Sequence, residues 1–348
     1  MSSSKSILLN TIITYSRSLL GAFLAIFSSR WVLNSLGESD FGLYTLIGVI
    51  ISFVTFLNST LSVSASRYFA YVDNKGKEEV NRWFNVSFCI HFFFPLILLC
   101  VGYPVGLFFI KNVLQIANSQ INDACVVFGL SLIAAFFSMI SVPFIAMYTA
   151  KQRFLDLAFW GIIQSLLLFL SAYILIFWED NRLILYTSFV VLSTICVQII
   201  QMGRAFYLFS ECKLHFSYFF NKNRSCHLLG YSFWNFWGNF GHLVRTQGNA
   251  ILVNLFFGTQ GNAALGIGNQ VSNQTNVLAT SLSTVVTPAI VQNEGAGNRK
   301  EAVRLSYLTA KLGIILILLL TIPILVEADN ILNIWLIHVP KYSVGICQ

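Results

Sequence analysis

The residues best suited to bind a ligand lie in one apolar stretch, positions 232–249. Five polar residues recur there at intervals of three or four positions: Asn235, Asn239, His242, Arg245 and Asn249. A helix turns 100° per residue, so these side chains are predicted to share one face, within an arc of about 120°. Carboxamide and guanidinium groups bind through hydrogen bonds and charge. The stretch therefore predicts a binding face without a catalytic residue.

Two further apolar stretches carry polar residues at helical spacing. Asn269 and Asn273 lie one turn apart in the stretch that follows, and Arg17 shares a predicted face with Gly21 and Ser28 near the amino terminus. The same periodicity that aligns the first set should align these. We expect all three faces to line one shared cavity.

Charge indicates what such a cavity would bind. An arginine at mid-membrane costs about 2.5–3.5 kcal/mol and marks a watery pathway or a bound partner. All 14 acidic residues fall in predicted loops or at the ends of apolar segments. Arginines without carboxylates favour an anion, and phosphate is the natural partner of a guanidinium. The predicted substrate-binding set is Arg17, Arg245, Asn235, Asn239, His242, Asn249, Asn269 and Asn273.

These residues sit in apolar segments long enough to cross a membrane. Mean hydropathy is +0.72 and only 10% of the 348 residues are charged, against about a quarter in soluble proteins. A span needs roughly 20 apolar residues. Nine segments meet this, at 7–36, 41–66, 83–110, 124–150, 157–178, 183–203, 231–257, 262–292 and 305–326, and a tenth is predicted to begin near Lys341. We expect an all-α integral membrane protein.

The distribution of basic residues predicts how the chain is oriented. Most Lys and Arg residues fall in alternate loops on the side of the amino terminus, which places that terminus in the cytoplasm. Topology thus explains the net charge of +7, and no nucleic-acid partner is implied. The seven cysteines include no CxxC pair, so we expect neither a metal site nor a cofactor.

An internal repeat indicates two lobes. Leu36-Gly37 recurs as Phe257-Gly258 at an offset of 221 residues, and Lys77-Glu78 recurs as Lys300-Glu301 at an offset of 223. Six spans separate the copies, so both copies face the same way, as in parallel-repeat transporters. We predict an amino-terminal six-helix lobe at 1–210. A second lobe at 211–348 would be truncated to three or four spans.

Three segments resemble a known family. Residues 10–48 (NTIITYSRSLLGAFLAIFSSRWVLNSLGESDFGLYTLIG), 142–159 (VPFIAMYTAKQRFLDLAF) and 334–340 (IWLIHVP) are similar to the Wzx-type O-antigen and capsule flippases. These belong to the multidrug/oligosaccharidyl-lipid/polysaccharide exporter superfamily. The resemblance implies flipping of an undecaprenyl-pyrophosphate-linked oligosaccharide across the bacterial inner membrane by alternating access. It also implies membrane lipids, a glycan polymerase and a chain-length regulator as partners.

Other interpretations stay open. A cation-coupled multidrug antiporter of the same superfamily should carry an intramembrane Asp or Glu. A membrane-bound glycan polymerase or ligase should carry a large external loop, whereas the predicted outer loops are short. A scaffold without transport activity would share every sequence feature described above.

Overall fold

The computed structural model describes residues 3–151, 153–295, 298–336 and 338–347, and it contains helices without strands over those ranges. The side chains of some helical residues, including His242, lie outside the described set. The helices are α1 (Ser3–Val72), α2 (Lys77–Asn112), α3 (Ile121–Ala150), α4 (Phe154–Ile174), α5 (Arg182–Leu208), α6 (Lys222–Gly295), α7 (Arg299–Val326), α8 (Ala328–Trp335) and α9 (Ser343–Cys347). The all-α prediction is confirmed.

The two longest helices, α1 and α6, are each kinked at one glycine. Gly37 in α1 has φ 75° and ψ 171°, and Gly258 in α6 has φ 65° and ψ −160°. Such backbone angles are nearly confined to glycine. These glycines are the pair that the repeat places 221 residues apart, so the same device recurs at both positions.

The kinks explain why fewer helices than predicted spans are observed. Seven helices of the described chain are long and apolar enough to cross a membrane. Helices α1 and α6 each contain two of the nine predicted segments, one on either side of the kink. The chain is therefore a multi-pass membrane protein.

The second half of α1 packs closely against the second half of α6. A side chain at Gly42 would overlap the carbonyl oxygen of Thr259, so the two backbones touch where only glycine leaves room. One turn further on, Thr45 Oγ1 donates a hydrogen bond to the Asn262 carbonyl at 3.2 Å. Leu43 and Leu46 of the same helical segment are wholly buried. This crossing fixes the positions of the polar residues beyond it.

A polar cluster joins α2 and α3 to the segment between α5 and α6. Asn85 Nδ2 donates to the Lys213 carbonyl at 3.0 Å, and Asn85 Oδ1 accepts from the His215 amide at 2.7 Å. Lys151 Nζ lies 2.9 Å from Glu211 Oε1. We call Asn81, Asn85, Lys151 and Glu211, with the backbone they bind, the loop network.

Candidate substrate-binding cavity

A polar cavity of about 430 Å³ lies between α1 and α6. Its size is within the range of pockets for small molecules. Both halves of both helices contribute to it, so the four predicted spans that correspond in the repeat surround one space. We call it the amide cavity, and its lining residues are Ala25, Thr45, Gly48, Val49, Ser52, Gln247, Ala250, Asn262, Leu265, Gly266, Asn269, Gln270, Asn273 and Gln274.

Matching positions of the repeat face each other across this cavity. At the offset of 221 residues, four lining positions of α1 correspond to four lining positions of α6. The α1 set is Thr45, Gly48, Val49 and Ser52, and the corresponding α6 set is Gly266, Asn269, Gln270 and Asn273. The α1 side is made of small or apolar residues, whereas the α6 side carries three carboxamides. A ligand would therefore find most of its hydrogen-bonding partners on α6.

The carboxamides differ in how their own hydrogen bonds are satisfied. Gln270 Nε2 donates to the Ala25 carbonyl at 2.9 Å and thereby ties α6 to α1. Asn262 is 2% exposed, yet neither Oδ1 nor Nδ2 has a hydrogen-bond partner. Gln274 Oε1 is likewise buried and unpartnered. Asn269 and Asn273 are exposed.

Two smaller cavities adjoin the amide cavity near Thr45. One, of about 270 Å³, is lined by Gly21 and Ser28 of α1 and by Tyr44 and Gln270 among others. The other, of about 290 Å³, lies among α1, α3 and α5. No acidic side chain lines any of the three within the described part of the chain.

Of the predicted substrate-binding set, the structure brings Asn269 and Asn273 together in the amide cavity. Asn235 is half-buried and donates from Nδ2 to the Tyr231 carbonyl at 3.4 Å. Asn239 is exposed and donates to the Asn235 carbonyl at 3.0 Å.

Arg245 and Asn249 are also exposed, and neither lines the amide cavity. His242 lies outside the residues whose side chains are described. A role for this face of α6 in binding therefore stays a prediction.

Arg17 packs against α4. Its guanidinium covers Gly161 of α4, where any side chain would overlap it. Arg17 is exposed and does not line the amide cavity, although Gly21 and Ser28 of its predicted face line the adjoining one. Binding of a phosphate by both arginines together stays a prediction.

Sequence reasoning omitted four carboxamides from its binding set: Gln247, Asn262, Gln270 and Gln274. Gln270 and Gln274 lie one turn apart, which is the spacing already used for Asn269 and Asn273. Asn262 lies seven residues before Asn269, a spacing that keeps both on one side of a helix. The periodicity was thus present and could have found them.

Comparisons with known proteins point to one fold. Residues 249–336 match the family model described as MatE, a stretch that holds most of the amide-cavity lining from α6. A MOP superfamily transporter from Pyrococcus furiosus, described as having a binding pocket of reverse polarity that suggests a different function, superposes with a TM-score of 0.70 at 14% identity. That match covers 99% of this chain and 76% of the other.

An outward-facing multidrug resistance MATE family transporter of the MOP superfamily gives a TM-score of 0.69 at 14% identity, over 98% of this chain and 76% of that one. A MATE structure in the bent conformation gives 0.66 at 14% identity, over 99% and 77%. The chain has a MATE-like transporter fold. A search of curated proteins gives no match.

The MATE-like fold narrows the earlier interpretations. The similar structures include members of the superfamily that the sequence resemblance named, and none of the matches singles out its Wzx-type flippases. The similar structures are transporters, which agrees with a polar cavity between kinked membrane helices. Within the described residues, no group of three His, Cys, Asp or Glu side chains could hold a metal ion.

Proposed function

We propose that the chain is a membrane transporter that carries a solute through the amide cavity by alternating access. One observation carries this proposal. The cavity lies between α1 and α6, where matching positions of the two repeats face each other. The interface between two repeats is where transporters built in this way bind their solutes.

The comparisons favour a cation-coupled multidrug antiporter as the specific activity. One of the similar structures is described as a multidrug resistance transporter. Its fold extends over nearly the whole chain, and the family-model match covers the α6 side of the cavity. The missing element is a carboxylate for ion coupling, because none lines the described cavities.

A lipid-linked oligosaccharide flippase is the second candidate, and the lining of the amide cavity favours it. Carboxamides and hydroxyls hydrogen-bond well to sugars. In this interpretation the protein resides in the bacterial inner membrane with its amino terminus in the cytoplasm. Its partners would include a glycan polymerase and a chain-length regulator. Arg17 and Arg245 would bind the pyrophosphate.

Deletion of the gene separates the two candidates. Cells without a multidrug antiporter should retain the drugs that wild-type cells export and become more sensitive to them. Cells without a flippase should accumulate lipid-linked glycan on the cytoplasmic leaflet. A deletion strain that shows neither change would contradict the transporter proposal.

A matched pair of variants tests the cavity itself. Asn273→Leu removes an exposed carboxamide inside the amide cavity, and Asn239→Leu removes one on the same helix outside it. We expect the first to lower transport in the complemented deletion strain and the second to leave transport near wild type. Equal loss in both would favour the face predicted from sequence over the amide cavity.

A further inference from the structure

We propose that the amide cavity is a subsite for a neutral head group that both donates and accepts hydrogen bonds, with Asn262 as its main specificity-determining residue. This inference rests on the proposed function, since it names the chemical class of the solute. Hydroxyl and acetamido groups of sugars belong to that class, as do the amide and hydroxyl groups of uncharged drugs.

The lining of the cavity excludes a strong preference for ions. No charged side chain occurs among its residues. An ion that entered would lose hydration and gain no opposite charge, which is unfavourable. Carboxamides offer two donors and an acceptor with two lone pairs, so they complement neutral groups with both functions.

Asn262 provides the observation that points most directly to a ligand. Both polar atoms of its side chain are buried without a partner, although the residue borders open space. Its backbone carbonyl is held separately by Thr45, so the side chain has no part in that bond. A buried carboxamide without partners costs free energy. A ligand in the cavity would supply the missing partners after a rotation of the side chain.

The asymmetry of the repeat indicates how that ligand lies. The position that corresponds to Asn262 in the first repeat is Phe41, and Val49 corresponds to Gln270. Gln274, with its unpartnered Oε1, continues the polar side along α6. An amphipathic solute would therefore turn its hydrogen-bonding side to α6 and its apolar side to α1.

Thermal stability of the purified wild-type protein gives the first test. The neutral probe is para-nitrophenyl N-acetylglucosaminide, and the charged probes are the tetraphenylphosphonium cation and para-nitrophenyl phosphate. We expect the glycoside to raise the melting temperature in a concentration-dependent manner, because a ligand that binds only the folded state stabilises it. A shift with either charged probe and none with the glycoside would overturn the proposal.

Substitutions locate the site. Asn262→Leu and Gln274→Leu should each weaken glycoside binding about three- to tenfold, the effect of losing one neutral hydrogen bond. The melting temperature without ligand should stay equal or rise, because an unpartnered polar group is replaced by an apolar one. Asn112→Leu, which removes an exposed carboxamide of α2 outside the cavity, should change neither quantity.

The outcomes separate this inference from the proposed function. Unchanged glycoside affinity in both cavity variants would overturn the subsite, as would a lower melting temperature of Asn262→Leu with normal binding, since that pattern marks a structural residue. Glycoside binding that depends on Asn262 in a protein that transports nothing in vesicles would keep the subsite and remove the transporter. If a variant does not fold, the melting-temperature shifts of the wild-type protein with the neutral and charged probes still test the proposed preference for neutral groups.

Discussion

The loop network and the amide cavity are both rich in polar side chains, but their buried carboxamides differ in whether they have hydrogen-bond partners. In the loop network Asn85 is fully buried and binds three backbone groups through its carboxamide. In the amide cavity Asn262 is almost as deeply buried and its carboxamide binds none. Equal burial of the same residue type thus indicates two different roles.

The difference has an energetic meaning. A satisfied buried carboxamide stabilises the fold by about 1 kcal/mol per bond, whereas an unsatisfied one costs about 1–3 kcal/mol. Helix α2 and the segment before α6 depend on the first kind. A buried carboxamide without partners lowers the stability of the protein when no ligand is bound, and it suits a site where a ligand supplies those partners. Stability measurements can therefore sort structural from binding residues here.

The largest effect is expected at Asn85. Asn85→Leu leaves the Lys213 carbonyl and the His215 amide without this partner, so the free energy of unfolding should fall by about 2 kcal/mol. Thermal unfolding of purified protein measures it. The control is Asn112→Leu, an exposed carboxamide on α2 that binds only the preceding turn, where the change should stay within about 0.5 kcal/mol. Equal losses of unfolding free energy in Asn85→Leu and Asn112→Leu would show that the loop network contributes no more to stability than a surface carboxamide.

Acid should weaken the loop network through Glu211. Burial raises the pKa of this carboxyl, but the hydrogen bond and charge of Lys151 outweigh burial and leave the pKa below its usual value of 4.5. A depressed folded pKa means that the stabilisation is complete above about pH 4.5 and is lost as pH falls through the folded pKa.

We expect Glu211→Gln to lower stability at neutral pH by about 1.5 kcal/mol and to flatten this acid-dependent loss. Melting temperatures between pH 3 and 7, roughly the range over which carboxyl groups titrate, provide the measurement. If the melting temperature of Glu211→Gln fell with pH as steeply as that of the wild type, another group would be the cause of the acid-dependent loss of stability.

Gln270 connects the two kinds of behaviour, since it lines the amide cavity and also binds the Ala25 carbonyl. Gln270→Leu should lower the free energy of unfolding by about 1 kcal/mol, the contribution of one neutral hydrogen bond. The comparison with Asn262→Leu under identical conditions is decisive. If Gln270→Leu and Asn262→Leu have the same melting temperature, the presence of a hydrogen-bond partner does not distinguish the two side chains.

The smallest effect on stability is expected at Asn269. This side chain is exposed within the amide cavity, so Asn269→Ala should change stability by less than about 0.5 kcal/mol. Glycoside binding, measured by the melting shift of the purified variant, should nevertheless weaken. Unaltered binding at a fully stable variant would restrict the subsite to the region around Asn262 and Gln274.

Much of the fold followed from local pattern. The apolar segments predicted the helices, and the recurrence of Leu36-Gly37 as Phe257-Gly258 indicated an internal repeat, at whose glycines the structure then shows the two kinks. The recurrence of Lys77-Glu78 as Lys300-Glu301 marked the starts of α2 and α7. These features depend on hydrophobicity and on glycine's backbone freedom, which each segment carries by itself.

The sequence by itself thus determined that this is an all-helical membrane protein whose helices carry polar faces. Only the tertiary structure decided which of those faces meet. It places Arg17 against Gly161 of α4, and it gathers Asn269 and Asn273 with Gln270 and Asn262 around one cavity. Helical periodicity fixes the angle between residues of one helix. The rotation of that helix against its neighbours is set by contacts such as Gly42 on Thr259, which join residues more than 200 positions apart.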